Sequence, residues 1–243
     1  MKILQKLRQS RSANFLRRAK RRLTGADRYD ARNYWESQLS RYGNNLRGPG
    51  NGSLSEEENI RIYEQGKSAL GELTAQLGVD WTSAFAEIGP GNGYWLKWLS
   101  ARGVSRYTGF DITDALFPLI RNEFPHASLG RLDVTEHPIP GSFDVLLMID
   151  VTQHITDEKK FRKAMSHCRA AVHPGGLFIV TSWLRPYKKF SEAEVMRPLE
   201  SYTSSFEGWK VTGPAPFRDK LIMAFRRPQA DSEPVTGTAG LTR

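Results

Sequence analysis

Glu87-Ile-Gly-Pro-Gly-Asn-Gly93 decides how this chain reads. Apolar Ala84, Phe85 and Ala86 precede it and Tyr94-Trp-Leu-Lys-Trp-Leu99 follows, so the stretch reads as a buried strand, a tight turn and a helix start. Glycines at 89, 91 and 93 bring the backbone close to a ligand with no Cβ in the way, and the first N–H groups of the helix are left unpaired. Spacing separates the possible cradles. A Gly-x-Gly-x-x-Gly fingerprint begun at Gly89 needs its third glycine where Tyr94 stands, and begun at Gly91 it needs one at Leu96. No Gly-Lys-Ser/Thr ending follows, which excludes a P-loop.

What remains is acid-x-Gly-x-Gly-x-Gly, and further elements follow in order. Tyr107-Thr-Gly-Phe-Asp-Ile112 reads as a second strand ending in an acid, and Leu129-Gly-Arg-Leu-Asp-Val134 ends in Asp133. Phe143-Asp-Val-Leu-Leu-Met-Ile149 runs into Asp150-Val-Thr-Gln-His-Ile155, and His173-Pro-Gly-Gly-Leu-Phe-Ile-Val180 reads as a turn into a fifth strand. Over residues 83–184 this series resembles the class I S-adenosylmethionine-dependent methyltransferases.

The resemblance implies a Rossmann-like α/β fold with a seven-stranded, mostly parallel sheet and helices on both faces. It also implies S-adenosylmethionine as cofactor. Carried over residue by residue, Glu87 would sit near the methionine amino group, with Gly89, Gly91 and Gly93 lining its path. Asp111, with Ile112, would take the ribose, Asp133 and Val134 the adenine, and Asp150 is a further cofactor contact. An acid at a strand end is also an ordinary solvated or capping residue, and only the ordered series favours the ligand reading.

At 243 residues and 39% hydrophobic content the chain can bury one substantial core. Residues 1–32 read as a basic arm, 33–78 as a helical cap, 79–227 as the cofactor-binding domain and 228–243 as a polar, disordered tail. The lone Cys168 leaves no disulfide framework and no thiolate metal site, and the remaining histidines show no paired spacing with carboxylates, so a metal-independent reaction in a cytoplasmic protein is expected. No stretch approaches the length of an apolar membrane span.

The charge of +9 is unevenly placed. Residues 1–32 hold 11 Lys or Arg against Asp27 and Asp30, which is the whole excess, and the rest of the chain holds 24 basic and 24 acidic residues. The arm therefore does not make the cofactor face a nucleic-acid surface, and nucleic acid is not an expected partner. It lacks the apolar core and cleavage site of a secretory signal. Two readings are open: a solvated tail, or attraction to an anionic membrane surface or acidic glycan, which would make the protein peripheral at the inner membrane.

Ahead of the first strand, Asn33-Tyr-Trp-Glu36 and the glycine-rich Leu46-Arg-Gly-Pro-Gly-Asn-Gly-Ser-Leu54 lead to Ser55-Glu-Glu-Glu58, and either Ser53 or Ser55 caps a helix reaching about residue 77. This segment either folds over cofactor and acceptor or packs Tyr34 and Trp35 on the core. In the first reading Arg47 lies near the methionine carboxylate and Tyr34 near the acceptor. For proton removal His154 stands just past strand four, with Asp150 as its orienter, and the other reading of the Gln-His pair is packing. Trp183 and Arg185, with Tyr187, Lys188 and Lys189, form either an aromatic and basic rim for a sugar or an anion, or simply a surface loop. A helix at 191–199 and two strands, 208–212 and 220–226, joined through Gly213-Pro-Ala-Pro216, complete the reading.

The acceptor class follows from absences. No Asp/Asn-Pro-Pro-Tyr/Phe follows strand four, as base-flipping amino methylases need, and no cysteine stands at a strand tip for attack on a pyrimidine. A hydroxyl on a glycan or small molecule is the acceptor this leaves, and the arm and rim resemble those of enzymes methylating bacterial surface polysaccharides. The alternatives are another small metabolite, or a non-catalytic cofactor-binding subunit whose arm grips RNA or a protein.

Overall fold

The computed structural model describes residues 29–229, so most of the basic arm and nearly all of the expected tail lie outside the described residues. Nine strands are present there: β1 (Phe85–Ile88), β2 (Tyr107–Asp111), β3 (Ser128–Arg131), β4 (Phe143–Met148), β5 (Val172–Ser182), β6 (Lys188–Lys189), β7 (Val195–Met196), β8 (Lys210–Phe217) and β9 (Lys220–Arg226). The helices are α1 (Ala31–Tyr42), α2 (Glu56–Gln76), α3 (Tyr94–Ser100), α4 (Phe117–Glu123), α5 (Glu158–Ala171) and the single turn α6 (Glu200–Thr203).

Seven strands form one sheet in the order β3-β2-β1-β4-β5-β9-β8, while β6 and β7 pair separately as a small hairpin. β1 to β5 are parallel, and β9 joins β5 antiparallel with Ile179 opposite Ala224. Strand periodicity sorts the core into two layers. Phe85, Val145 and Leu147 face Leu70, Leu73, Trp95 and Leu99 of α2 and α3. Ala86, Leu146 and Met148 face Phe161, Met165 and Cys168 of α5. Helices thus cover both faces, and the expected doubly wound sheet is present.

Local chemistry sets the helix starts. Ser55 accepts from the Glu58 N–H at 3.1 Å while Glu58 returns a bond to the Ser55 N–H at 2.7 Å, a reciprocal cap at the expected position. Asp157 caps α5, accepting from both Lys159 and Lys160 at 2.9 Å. α1 begins at Ala31, under an Asp30 cap, so it starts inside the segment read as arm.

Two expectations fail. Residues 191–199 are not helical: they form the loop and second strand of the β6–β7 hairpin, because Val195 and Arg197 are drawn into the interior. Gly213-Pro-Ala-Pro216 is not a connector but lies within β8. That strand has β9 on one side only, so prolines lacking an N–H are tolerated there, beside a bulge between Thr212 and Ala215. Among the described residues no helix is long and apolar enough to cross a membrane.

Candidate functional site

The strand order reverses between β1 and β4, and in open parallel sheets the crevice for ligands opens there, at the carboxyl ends. A cleft of about 1010 Å³ occupies this place, walled by the glycine turn, the ends of β2 and β4, and α1. Among the described residues no group of three His, Cys, Asp or Glu side chains is arranged to hold a metal.

The glycine turn is shaped by its neighbours. Gly91 has φ +55, and a Cβ there would come 2.8 Å from Pro49 of the loop ahead of α2. Gly89 has φ +74, and its Cβ would come 2.5 Å from Val151. Each position therefore needs glycine both for its backbone and for the close approach of another segment.

Glu87 lies under this turn, fully buried. Its partner across the sheet is Gly109, and that missing side chain lets Tyr107 reach along β2 and donate its hydroxyl to Glu87 Oε2 at 2.6 Å. Oε1 has no partner. No cation neutralises the group, so burial pushes its pKa up to about 8. Asp111, at the end of β2, is pushed up to about 6 by burial, against the pull of N–H groups from Thr113, Gly91 and Ile112. Asp133, two residues past β3, accepts from the Thr135 N–H at 2.8 Å and its hydroxyl at 2.6 Å. Asp111, Ile112, Asp133 and Val134 all line the cleft.

This donor set fits S-adenosylmethionine. An orphaned buried carboxylate oxygen suits an ammonium group, and a carboxylate at the second strand suits a ribose diol.

At the other end, His154 sits on a single 3₁₀ turn, Thr152–His154. Its Nδ1 is 3.0 Å from the Ala193 carbonyl oxygen and therefore carries the proton. Nε2 lies 3.3 Å from the Gln153 amide nitrogen, which also donates to the Asp150 carbonyl at 2.9 Å, so Nε2 is an acceptor. Burial pulls the imidazole pKa down to about 4, with the Lys220 charge adding to the effect. The Trp35 ring stands edge-on to His154 at 4.8 Å. Arg197, wholly buried, clamps the turn by donating to the Thr152 carbonyl at 3.0 Å, to the Ile155 carbonyl and to Glu158 Oε1 at 2.8 Å. The Tyr202 hydroxyl meets Thr152 Oγ1 at 2.9 Å from below.

Asp150 does not orient His154 through its carboxylate. Its Oδ2 is paired with Arg218, and its Oδ1 with Lys220 at 3.1 Å, both from the β8–β9 turn. Asp150 and Arg218 each hold φ +58, a left-handed conformation that costs a non-glycine residue energy and that the mutual ion pair helps to hold. Burial lowers the Lys220 pKa to about 8.

Glu87 and Gly93 are not part of the cleft wall, although Ile88, Asn92 and Tyr94 beside them are, and four further expected site residues lie elsewhere. Arg47 donates to the Gly52 carbonyl at 2.8 Å and stacks over Tyr42 at 5.0 Å, outside the cleft wall. Trp183 donates to Asp219 at 3.0 Å, and Arg185 is exposed beyond β5. Tyr34 is exposed, and it is the adjacent Trp35 that lines the cleft. Sequence reasoning missed Arg218, Lys220 and Arg197. Arg197 stood as a lone charge in a largely apolar stretch and Arg218 and Lys220 in a charged turn with Asp219, and neither signal says which strand end they reach.

Residues 86–180 match the family model described as a methyltransferase domain. No curated protein sequence matches the chain. Among solved structures, the fold is similar to DhpI with SAH bound (TM-score 0.59, 17% identity, 82% of this chain and 95% of that one). It is also similar to SAM-bound CalS10, an amino pentose methyltransferase from Micromonospora echinaspora involved in calicheamicin biosynthesis (TM-score 0.56, 15% identity, 70% and 95%). A third is the glycopeptide N-methyltransferase MtfA (TM-score 0.53, 14% identity, 67% and 90%). Sheet order, glycine turn and family match together define a class I S-adenosylmethionine-dependent methyltransferase domain. The protein is an enzyme that takes its methyl group from that cofactor.

Proposed function

We propose that the protein methylates a hydroxyl on a sugar of a bacterial surface polysaccharide or lipopolysaccharide-type glycan, working in the cytoplasm beside the inner membrane. Residues 33–78 serve as the cap over the acceptor. The observation that carries this reading is His154: a neutral imidazole lining the cleft, its Nδ1 proton committed to Ala193 and its Nε2 the unprotonated nitrogen, which must exchange the Gln153 amide for the acceptor to serve as base.

The cofactor supplies an already activated methyl group on a sulfonium. Glu87 would hold its ammonium, Asp111 its ribose hydroxyls, and the Asp133-Val134 turn its adenine. Trp35, Tyr63 and Tyr94 give the acceptor end flat apolar walls against which a sugar ring stacks and from which water is excluded. As the acceptor oxygen acquires the methyl group its proton becomes strongly acidic, so even a base with a pKa near 4 removes it, and His154 Nε2 stays unprotonated throughout the neutral range. Arg197 and Gln153 fix the imidazole in place.

The same low basicity favours a second reading, an amine on a sugar or other small metabolite, which attacks as its neutral form and asks little of a base. Labelled methyl transfer into glycan extracts tests both. Alkali-stable label on oxygen supports the first, label on an amine supports the second, and no transfer with cofactor binding intact removes both in favour of a non-catalytic binder.

A further inference from the structure

Glu87 is a wholly buried acid with one oxygen bonded and the other free. Packing alone does not favour such a group, because a buried carboxyl oxygen without a partner costs more than an apolar side chain of similar size. Ile88 and Gly89, the next residues along the chain, belong to the cleft wall, so the acid stands just behind the place where the methionine end of the cofactor would rest. Which of its oxygens stays free is decided by Tyr107.

The sheet sets this arrangement. Glu87 stands opposite Gly109 in the β1–β2 register, and Tyr107, Gly109 and Asp111 share one face of β2 by strand periodicity. A side chain at 109 would fill the gap that the phenol crosses. Its Cβ would come 3.2 Å from Tyr107 Cε1, 3.2 Å from Pro90 Cγ and 2.9 Å from Leu129 Cδ2. With that space open, the Tyr107 hydroxyl reaches diagonally to Oε2 at 2.6 Å, a short bond of the kind an ionised acceptor makes. Burial holds the phenol pKa well above its ordinary value, so the hydroxyl keeps its proton wherever Glu87 ionises and is always the donor. The other titratable groups whose charge reaches Glu87 are Asp111, further along β2, and Tyr63 on α2. Neither takes Oε1.

We propose that Tyr107 is a positioning residue for the cofactor: by occupying Oε2 it turns Glu87 so that Oε1 is the oxygen offered to the methionine ammonium. The inference rests on the reading of Glu87 as the ammonium site. Tyr107 acts through the acid and touches no part of the ligand.

The test compares wild type with Tyr107→Phe in calorimetric titrations with two ligands. S-adenosylhomocysteine carries the amino group, whereas methylthioadenosine keeps the same nucleoside without it. Loss of the hydroxyl removes the bond that favours the ionised acid, so the Glu87 midpoint rises from about 8 by roughly one to two pH units. At pH 8 proton release on S-adenosylhomocysteine binding therefore increases by about 0.4–0.5 per site over wild type, and at pH 7 affinity falls roughly 10- to 100-fold. The ligand's own amino group titrates equally in both titrations and cancels. Binding of methylthioadenosine is unchanged, which loosened packing would not leave so. In a Glu87→Gln background Tyr107→Phe has no further effect on S-adenosylhomocysteine affinity, as a residue acting only through that acid requires. Gly109→Ala, whose Cβ presses on the ring, displaces the hydroxyl by a second route and moves the proton release in the same direction.

Equal loss of affinity for both ligands, or unchanged proton release at pH 8, overturns the proposal. The underlying readings fail separately. Glu87→Gln binding S-adenosylhomocysteine as tightly as wild type removes the ammonium site and Tyr107's role with it, whereas a weakened Glu87→Gln beside an unaltered Tyr107→Phe removes the role of Tyr107 alone. A wrong acceptor leaves every one of these titrations as stated.

Discussion

Cofactor binding should expel a proton, and the source is Glu87. In the free protein this carboxyl is buried without a cation and its pKa is about 8. At pH 7 it is therefore protonated about ten to one, or about 0.9 proton per site. The Asp111 carboxyl, at about 6, adds about 0.1. An ammonium placed against Glu87 Oε1 reverses the balance and drives the carboxyl to ionise, so uptake of S-adenosylhomocysteine releases about one proton at pH 7, and the release fades above pH 8, where Glu87 is already ionised and the ligand's own amino group begins to lose its proton. Apparent affinity rises about tenfold per pH unit below pH 8 and stops rising above it. Titration calorimetry in buffers of different ionisation enthalpy reads the proton count directly. In Glu87→Gln the release falls to about 0.1 and affinity drops roughly 10- to 150-fold, the range for a lost charged hydrogen bond. Stability carries the matching sign. Because the folded pKa lies above the unfolded one, Glu87 favours the folded state below about pH 4.5, and this contribution is lost as pH rises toward 8; bound cofactor flattens that slope. No buffer dependence in the wild type, or undiminished release in the Gln variant, refutes the assignment of the ammonium site.

Replacing His154 by Ala lowers turnover roughly 10²- to 10⁴-fold if Nε2 takes the proton. Wild-type kcat shows no acid limb near pH 6.5, because the imidazole titrates at about 4, and a limb at 6.5 in steady-state rates contradicts this. Gly91→Ala forces a Cβ against Pro49 at φ +55 and costs about 1–3 kcal/mol, read as a lower melting temperature together with weakened cofactor binding. Asp150→Asn strands the nearly buried Arg218, while Lys220 keeps Asp219 at 3.5 Å, and destabilises the fold by roughly 3–5 kcal/mol in chemical denaturation; a change under about 1 kcal/mol means the Asp150–Arg218 pair is dispensable.

The parts of the site that were legible in the sequence are those fixed by neighbours along the chain. Glu87 through Gly93 constrain one another within seven residues, and Ser55 with Glu58 forms a cap that closes on itself. Where distant segments decide, the sequence was silent. Residues 191–199 contain good helix formers, yet burial of Val195 and the clamp of Arg197 on the 3₁₀ turn outweigh a weak propensity. Arg47 was placed by its position before the first strand, and its guanidinium turned instead to a nearer carbonyl. Arg218 and Lys220 act at a strand end across the sheet, and no spacing rule connects them to Asp150.

That last connection bears on the order in which the enzyme assembles. Asp150 finds Arg218 only across a separation of 68 positions, and β9 must slot between β5 and β8 before the turn is aimed correctly. A ribosome-bound chain that has emerged through β5 already contains the glycine turn with Asp111 and Asp133, the acids proposed for the nucleoside. Its acceptor half stays open until the final hairpin arrives, so a nascent polypeptide gains the capacity to hold cofactor before the capacity to use it.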